Sequence, residues 1–272
     1  MAAGDPLPPD LSDALAAARD RLLPLGARVI FFETTGSTND VALDLAARGG
    51  DEGTIVIAAA QTAGRGRHGR IWFSPPGSGL YVSIVLRPSQ AARDPQRATG
   101  LLTLAAGLAL AEAVEATIGL RADIKWPNDL LVGRRKLAGI LAESASSDLG
   151  RIVLGYGLNV SARAYPPELG DRATSLETEI GRPIDHAVVC VETLAAVAAR
   201  YRDLLAGRFD AILDGWRTRA PGSRGARVTW GAPSGPRQGV TAGIDDRGAL
   251  LVRAGDRGDH VETIVGGEVT WL

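Results

Sequence analysis

The chain has 272 residues, Lys+Arg 30 against Asp+Glu 31 for a net charge of -1, and is 45% apolar and 22% charged. At about 100–200 residues per domain that length holds one large domain or two unequal ones. A near-neutral balance also argues against a dedicated nucleic-acid binder, whose surface would be strongly basic. Cys190 is the single cysteine and the three histidines, His68, His186 and His260, are scattered, which excludes a disulfide framework and a Cys-only zinc site.

Residues 1–9 are Pro-rich, lack the basic start and apolar run of an export signal, and read as a disordered lead-in. A helix is expected from Leu11 to Leu23, capped by Asp10 or Ser12 and stopped by Pro24 and Gly26. Arg28–Glu33 is β-rich, and Thr34–Asn39 offers several caps to a helix over Asp40–Arg48. Thr54–Ala60 and Leu80–Arg87 read as buried strands, with a Gly/Arg loop between them. Leu101–Leu110, the most apolar run, falls short of the roughly 20 residues that span a bilayer and reads as part of a buried helix from Arg97 to Ile118. Asp129–Val132 and Leu137–Glu143 form a hairpin pattern around Gly133–Lys136. Ile152–Val160 is a further strand, and Val188–Leu205 and Phe209–Arg219 are apolar-faced helices. After Pro221 short β-like runs alternate with turns: Arg227–Trp230, Gly239–Ile244, Ala249–Arg253, His260–Val265 and Glu268–Leu272. The expected organisation is a lead-in over 1–27, a catalytic domain over 28–221 and an SH3-like β-barrel over 222–272. The fold class is α+β, a mixed or antiparallel sheet with flanking helices.

Gly64-Arg65-Gly66-Arg67-His68-Gly69 follows a strand and matches a dinucleotide fingerprint literally. The prolines at 75 and 76 and the lack of any acid from Gly53 to Arg93 remove the helix and the ribose-binding carboxylate that such a fold requires. The same window can bind an anion, because glycines let backbone N–H groups converge and arginines add bidentate donors; a solvated loop fits the spacing equally. Lys125-Trp126-Pro127-Asn128-Asp129 reads as a turn before a strand, with Trp126 as its anchor. Gly155 and Gly157 alternate on one sheet face, leaving room for a flat group or for a crossing helix.

Taken in order, Ser37-Thr38-Asn39, the Gly64–Trp72 segment, Lys125–Asp129, Lys136-Leu137-Ala138-Gly139-Ile140-Leu141 with Glu143, and Gly155–Asn159 resemble the biotin protein ligases over residues 28–272. The resemblance implies a biotin/lipoate ligase-like catalytic fold, with ATP and Mg²⁺ used to make biotinyl-5′-AMP and biotin then passed to a lysine of a carboxylase carrier domain. It implies Lys136 and Arg67 as the catalytic cations, with Arg65 and Arg70 holding the loop. It also implies Ser37, Thr38, Asn39 and Gln61 at the biotin pocket. Gly64, Gly66, Trp72, Asn128, Gly139 and Asn159 would meet biotin or the adenylate, and Lys125, Asn128 and Asp129 would shape the site or assist Mg²⁺. Many members carry an N-terminal winged-helix repressor domain; 33 residues precede Thr34 here, so no DNA binding is expected. A cytoplasmic location without membrane contact is expected, and exposed strand edges could serve a homodimer or the carrier domain. The Gly64–Arg70 loop, self-repelling by composition, is expected to order when adenylate binds.

Overall fold

The computed structural model describes residues 4–145, 148–232, 235–254 and 260–272. Helices α1 (Pro9–Ala17) and α2 (Arg19–Leu22) precede β1 (Val29–Phe32), α3 (Thr38–Ala47), β2 (Ile55–Ala58) and β3 (Gly79–Leu86). Then come α4 (Pro95–Ile118), β4 (Asp123–Lys125), β5 (Asp129–Val132), β6 (Arg135–Ala145) and β7 (Asp148–Asn159). Helices α5 (Leu176–Ile180), α6 (His186–Leu205) and α7 (Phe209–Arg219) follow. The chain ends with β8 (Arg224–Ala232), β9 (Gly235–Ile244), β10 (Leu250–Ala254), β11 (His260–Ile264) and β12 (Val269–Trp271).

The first seven strands form one sheet in the order β1-β2-β3-β7-β6-β5-β4. Strands β1 and β2 are parallel because helix α3 crosses over between them; every other neighbouring pair is antiparallel. The last five strands form an antiparallel sheet in the order β11-β10-β9-β8-β12, the small C-terminal β unit that the texture after Pro221 suggests.

Side-chain alternation assigns the faces of the large sheet. Ile55, Ile57, Val82, Ile84, Leu154 and Leu158 join the main core beneath α4, α6 and α7. Val56, Ala58, Val85 and Val153 pack on the opposite face under α3. Farther along that second face β7 presents Gly155, Gly157 and Asn159, and β6 presents Gly139. Small and polar residues therefore replace the apolar ones where α3 ends, and a hollow remains.

Three sequence expectations change. Residues 4–8 are placed rather than disordered: Asp5 N–H donates to the Phe31 carbonyl at 2.8 Å and covers the edge of β1. Helix α1 begins at Pro9 with no side-chain cap, so neither Asp10 nor Ser12 caps it; a proline in the first turn needs no N–H partner. Helix α4 is 24 residues, longer than its most apolar run, and among the described residues it alone is long and apolar enough to cross a membrane. Here it is the central core helix, with Leu101, Leu108 and Leu110 fully buried.

Candidate functional site

A cavity of about 770 Å³ opens on the glycine-bearing face, and every residue expected at the site except Gly64 lines it. Gly64 stands behind the wall, where a Cβ would crowd Ser74 Oγ at 2.7 Å.

At one end the N-terminus of α3 is secured from outside the helix. Gln61 Oε1 accepts from Thr38 N–H at 2.8 Å and from the Thr38 hydroxyl at 3.1 Å, and Gln61 Nε2 donates to Ser74 Oγ at 2.9 Å. No side chain of the Thr34–Asn39 segment caps the helix; Gln61 does that work. Asn39 is 5% exposed, and its amide donates to Glu143 Oε2 at 2.8 Å while its oxygen accepts from Ser83 Oγ at 2.5 Å. That carboxamide lies against Gly155, where a Cβ would stand 2.8 Å from Asn39 Cγ. Ser37, buried in the same wall, lines the cavity and makes no side-chain hydrogen bond among the described residues.

The Gly/Arg loop turns at His68 (φ 57°) and Gly69 (φ 72°) without opening a helix of more than three residues. Self-repulsion is not its condition, because acids from distant parts of the chain meet its arginines. Arg65 forms a bidentate pair with Glu143 at 2.9 and 2.7 Å and reaches Asp40 at 2.8 Å. Arg70 pairs with Glu268, the residue just before the last strand. Among the described residues Arg67 meets only neutral oxygens, Asn128 Oδ1 at 3.4 Å and the Gly267 carbonyl at 3.5 Å, and forms no ion pair. These contacts draw the loop across the cavity toward the C-terminal sheet.

Trp72 is the flat group that fills the glycine patch. A Cβ on Gly157 would stand 2.8 Å from its Cζ2, and one on Gly139 3.0 Å from its Cζ3. The indole Nε1 is buried without a hydrogen-bond partner among the described residues. Lys136 Nζ lies 5.4 Å from the Trp72 ring centroid and 2.6 Å from Asp129 Oδ1. Register explains the grouping, since Lys125 opposes Asp129, Asp129 opposes Gly139 and Gly139 opposes Gly157, which puts all four on one face. Trp126 does anchor the turn: it is 3% exposed, and its indole donates to the Gly248 carbonyl at 2.9 Å. Asn128 Nδ2 donates to the Ile140 carbonyl at 2.8 Å, and Asn159 Nδ2 to the Thr174 carbonyl at 2.9 Å. The latter bond fastens residues 172–174 beside Lys136, whose N–H donates to the Arg172 carbonyl at 2.7 Å.

Burial holds the Lys125 ammonium below the usual lysine range; Asp129 opposes that shift, Lys136 and Arg70 reinforce it, and Glu268 opposes it. Two wall segments escaped the sequence reading. Residues 164–173 contribute Tyr165 and Arg172, and the C-terminal sheet contributes Glu268 and Trp271. No periodicity marks the first, and only the fold brings the second to the cavity. Glu143 closes the resembling motif in sequence, but its partners lie 78 and 104 residues away.

Residues 31–159 match the model of the biotin/lipoate A/B protein ligase family. Over 232 residues the chain is 39% identical to the bifunctional ligase/repressor BirA of Bacillus spizizenii, an alignment covering 84% of this chain and 70% of that protein. The chain belongs to the biotin/lipoate A/B protein ligase family. The biotin–[acetyl-CoA-carboxylase] ligase of Mycobacterium tuberculosis is 36% identical over 271 residues, covering 93% of this chain and 94% of that one. Among solved structures, the biotin protein ligase from Aquifex aeolicus in complex with biotin and ATP superposes with a TM-score of 0.77. It is 27% identical, over 91% of this chain and 99% of that one. The matched family span begins within β1 and ends with β7, and so takes in nearly all of the seven-stranded sheet.

Proposed function

We propose that this family member is an ATP-dependent biotin–protein ligase that works in the cytoplasm on the carrier domain of a biotin-dependent carboxylase. In the first step a biotin carboxylate oxygen bonds to the α-phosphorus of ATP. The bond from that phosphorus to the bridging oxygen breaks, and pyrophosphate leaves with the electron pair. In the second, the neutral amine of the acceptor lysine bonds to the acyl carbon, the bond from that carbon to the phosphate oxygen breaks, AMP departs with the electron pair, and the surplus amine proton passes to solvent.

The observation that carries this reading is the placement of Lys136, held by Asp129 at 2.6 Å over the Trp72 ring, midway along the cavity. On one side lie the Ser37 hydroxyl and the Asn39 amide, neutral polar groups suited to a ureido ring; on the other lie Lys125, Arg67 and Arg70, suited to phosphates. Bringing two anions together needs fixed cations aimed at the charge that develops on the phosphoryl oxygens, and Arg67 and Lys136 are the two so placed. Loop contacts through Arg65 and Arg70 would keep water from the mixed anhydride.

The cavity does not suit a resident Mg²⁺. Its two carboxylates, Asp129 and Glu268, are each engaged by a cation, and no group of three acidic, His or Cys side chains gathers among the described residues. Magnesium would then accompany the nucleotide as MgATP. Incubation with biotin and MgATP, followed by mass spectrometry of the released nucleotide, should yield biotinyl-5′-AMP. Its absence, with biotin returned intact, would refute the reading.

A further inference from the structure

Strand β3 is buried along its whole length, and on its face beneath α3 the residues around Ser83 are apolar: Val85 two positions on, and Val56 opposite it on β2. Ser83 is fully buried and, unlike its hydrogen-bond partners Thr38 and Asn39, does not line the cavity. A hydroxyl is disfavoured in such a place unless hydrogen bonds offset its loss of water. Packing alone calls for valine here, so the reason for a serine lies in the contacts it makes. Those contacts all run to one end of the cavity wall. The Ser83 hydroxyl reaches Asn39 Oδ1 at 2.5 Å and Thr38 Oγ1 at 2.8 Å. Thr38 is tied in turn to Gln61, and the Asn39 amide to Glu143. Across the sheet Ser83 opposes Gly155, the glycine against which the Asn39 carboxamide lies. One cross-strand pair therefore supplies both the donor and the space that seat this carboxamide.

The direction of the bonds fixes which way the carboxamide faces. The Glu143 carboxylate, held by Arg65, can only accept, so it takes an N–H from Asn39 Nδ2 and leaves Oδ1 toward Ser83. Ser83 supplies the matching donor from inside the sheet. The second N–H of Nδ2 has no acceptor among the described residues, and it belongs to a side chain that lines the cavity.

We infer that Ser83 is a positioning residue for the biotin end of the site: it holds the Asn39 carboxamide oxygen from beneath, so that Asn39 meets the ligand with an N–H donor already fixed in place. The inference rests on the ligase reading and deepens it. Ser83 itself touches no substrate and acts only through Asn39. Without its hydroxyl the Asn39 oxygen has no buried donor, and the carboxamide turns to water in the cavity, which biotin must then displace.

Calorimetric titration with biotin in the absence of ATP isolates this role. In Ser83→Ala the dissociation constant for biotin should rise about tenfold, equivalent to 1.4 kcal/mol. In adenylation assays the KM for biotin should rise alike, while the KM for ATP and the kcat at saturating biotin stay within about twofold of the unaltered protein. Ser83→Thr keeps the donor and should recover most of the loss, whereas Ser83→Val, of the same shape as threonine but without the hydroxyl, should not. In an Asn39→Ala background the Ser83→Ala change should have no further effect on biotin affinity, because the two side chains act as one unit. Unchanged biotin affinity in Ser83→Ala, additive losses in the double variant, equal losses for biotin and ATP, or a loss in Ser83→Thr as large as in Ser83→Val would overturn the inference. If the unaltered protein binds no biotin, the ligase reading fails and takes the inference with it, a result distinct from each of the others.

Discussion

Replacing Gly157 by alanine tests whether Trp72 is the floor of the reacting centre. The new Cβ would stand 2.8 Å from Trp72 Cζ2 and nearer still to Cε2 and Nε1, whereas carbon atoms in ordinary contact keep about 3.5 Å. Gly157 cannot yield, because its strand is paired on both sides, with Tyr81 and with Gly139. The indole must therefore retreat by about 1 Å, an overpacking that costs roughly 1–3 kcal/mol. At about 2–4 °C per kcal/mol for a chain of this size, the melting temperature should fall by roughly 2–12 °C. The effect on chemistry should be larger in proportion, since Trp72 and Lys136 share the surface of Gly139 and a displacement of about 1 Å costs on the order of 100-fold in rate. Single-turnover formation of biotinyl-5′-AMP reads that loss, and near-ultraviolet circular dichroism reads the indole. Gly231→Ala, whose Cβ meets nothing within 4 Å, is the control and should change neither. A wild-type adenylation rate in Gly157→Ala, with an unaltered near-ultraviolet spectrum, would refute the placement of Trp72.

The remaining expectations concern charge and pH. Lys136→Ala should slow adenylate formation by about 10²–10³ in single-turnover assays while leaving the melting temperature within a few degrees. Glu143→Gln removes the charge that holds Arg65 and leaves a single oxygen for Arg65 and Asn39 to share, so the KM for biotin should rise about tenfold in steady-state adenylation, with a smaller fall in kcat. Burial lowers the folded-state pKa of His186, at the start of α6, against the opposing pull of Glu177, Asp185 and Asp10. The unfolded chain then binds the extra proton first, so this residue's contribution declines as pH falls from about 6.5 and is fully lost below the folded-state value. Melting curves between pH 7.5 and 5 should fall less steeply in His186→Gln than in the unaltered protein; parallel curves would dismiss the linkage.

Local chemistry made much of the scaffold legible. Helix α7 coincides with the expected Phe209–Arg219, since its apolar positions recur at helical spacing. Strand β4 was hidden, because three residues ending in Lys125 carry too little alternation to stand out beside a Trp-Pro turn. The Gly155/Gly157 alternation correctly signalled a bare sheet face, yet the occupants are the chain's own Asn39 and Trp72. Composition over residues 53–93 suggested repelling arginines, because nothing local indicates that Asp40, Glu143 and Glu268 would fold back to meet them. Trp126 was readable both as a turn anchor and as part of a site motif, and the structure grants it both positions: a core side chain whose neighbours Lys125 and Asn128 face the cavity.

The most direct test of the ligase function is intact-mass spectrometry of a purified biotin carrier domain incubated with this protein, biotin and MgATP, beside a parallel sample containing lipoate. The expected result is a single biotinyl mass gain on one lysine, absent with lipoate and lost in Lys136→Ala. A gain with lipoate alone would move the activity to the other branch of the family, and no gain with either acid would contradict the proposed function outright.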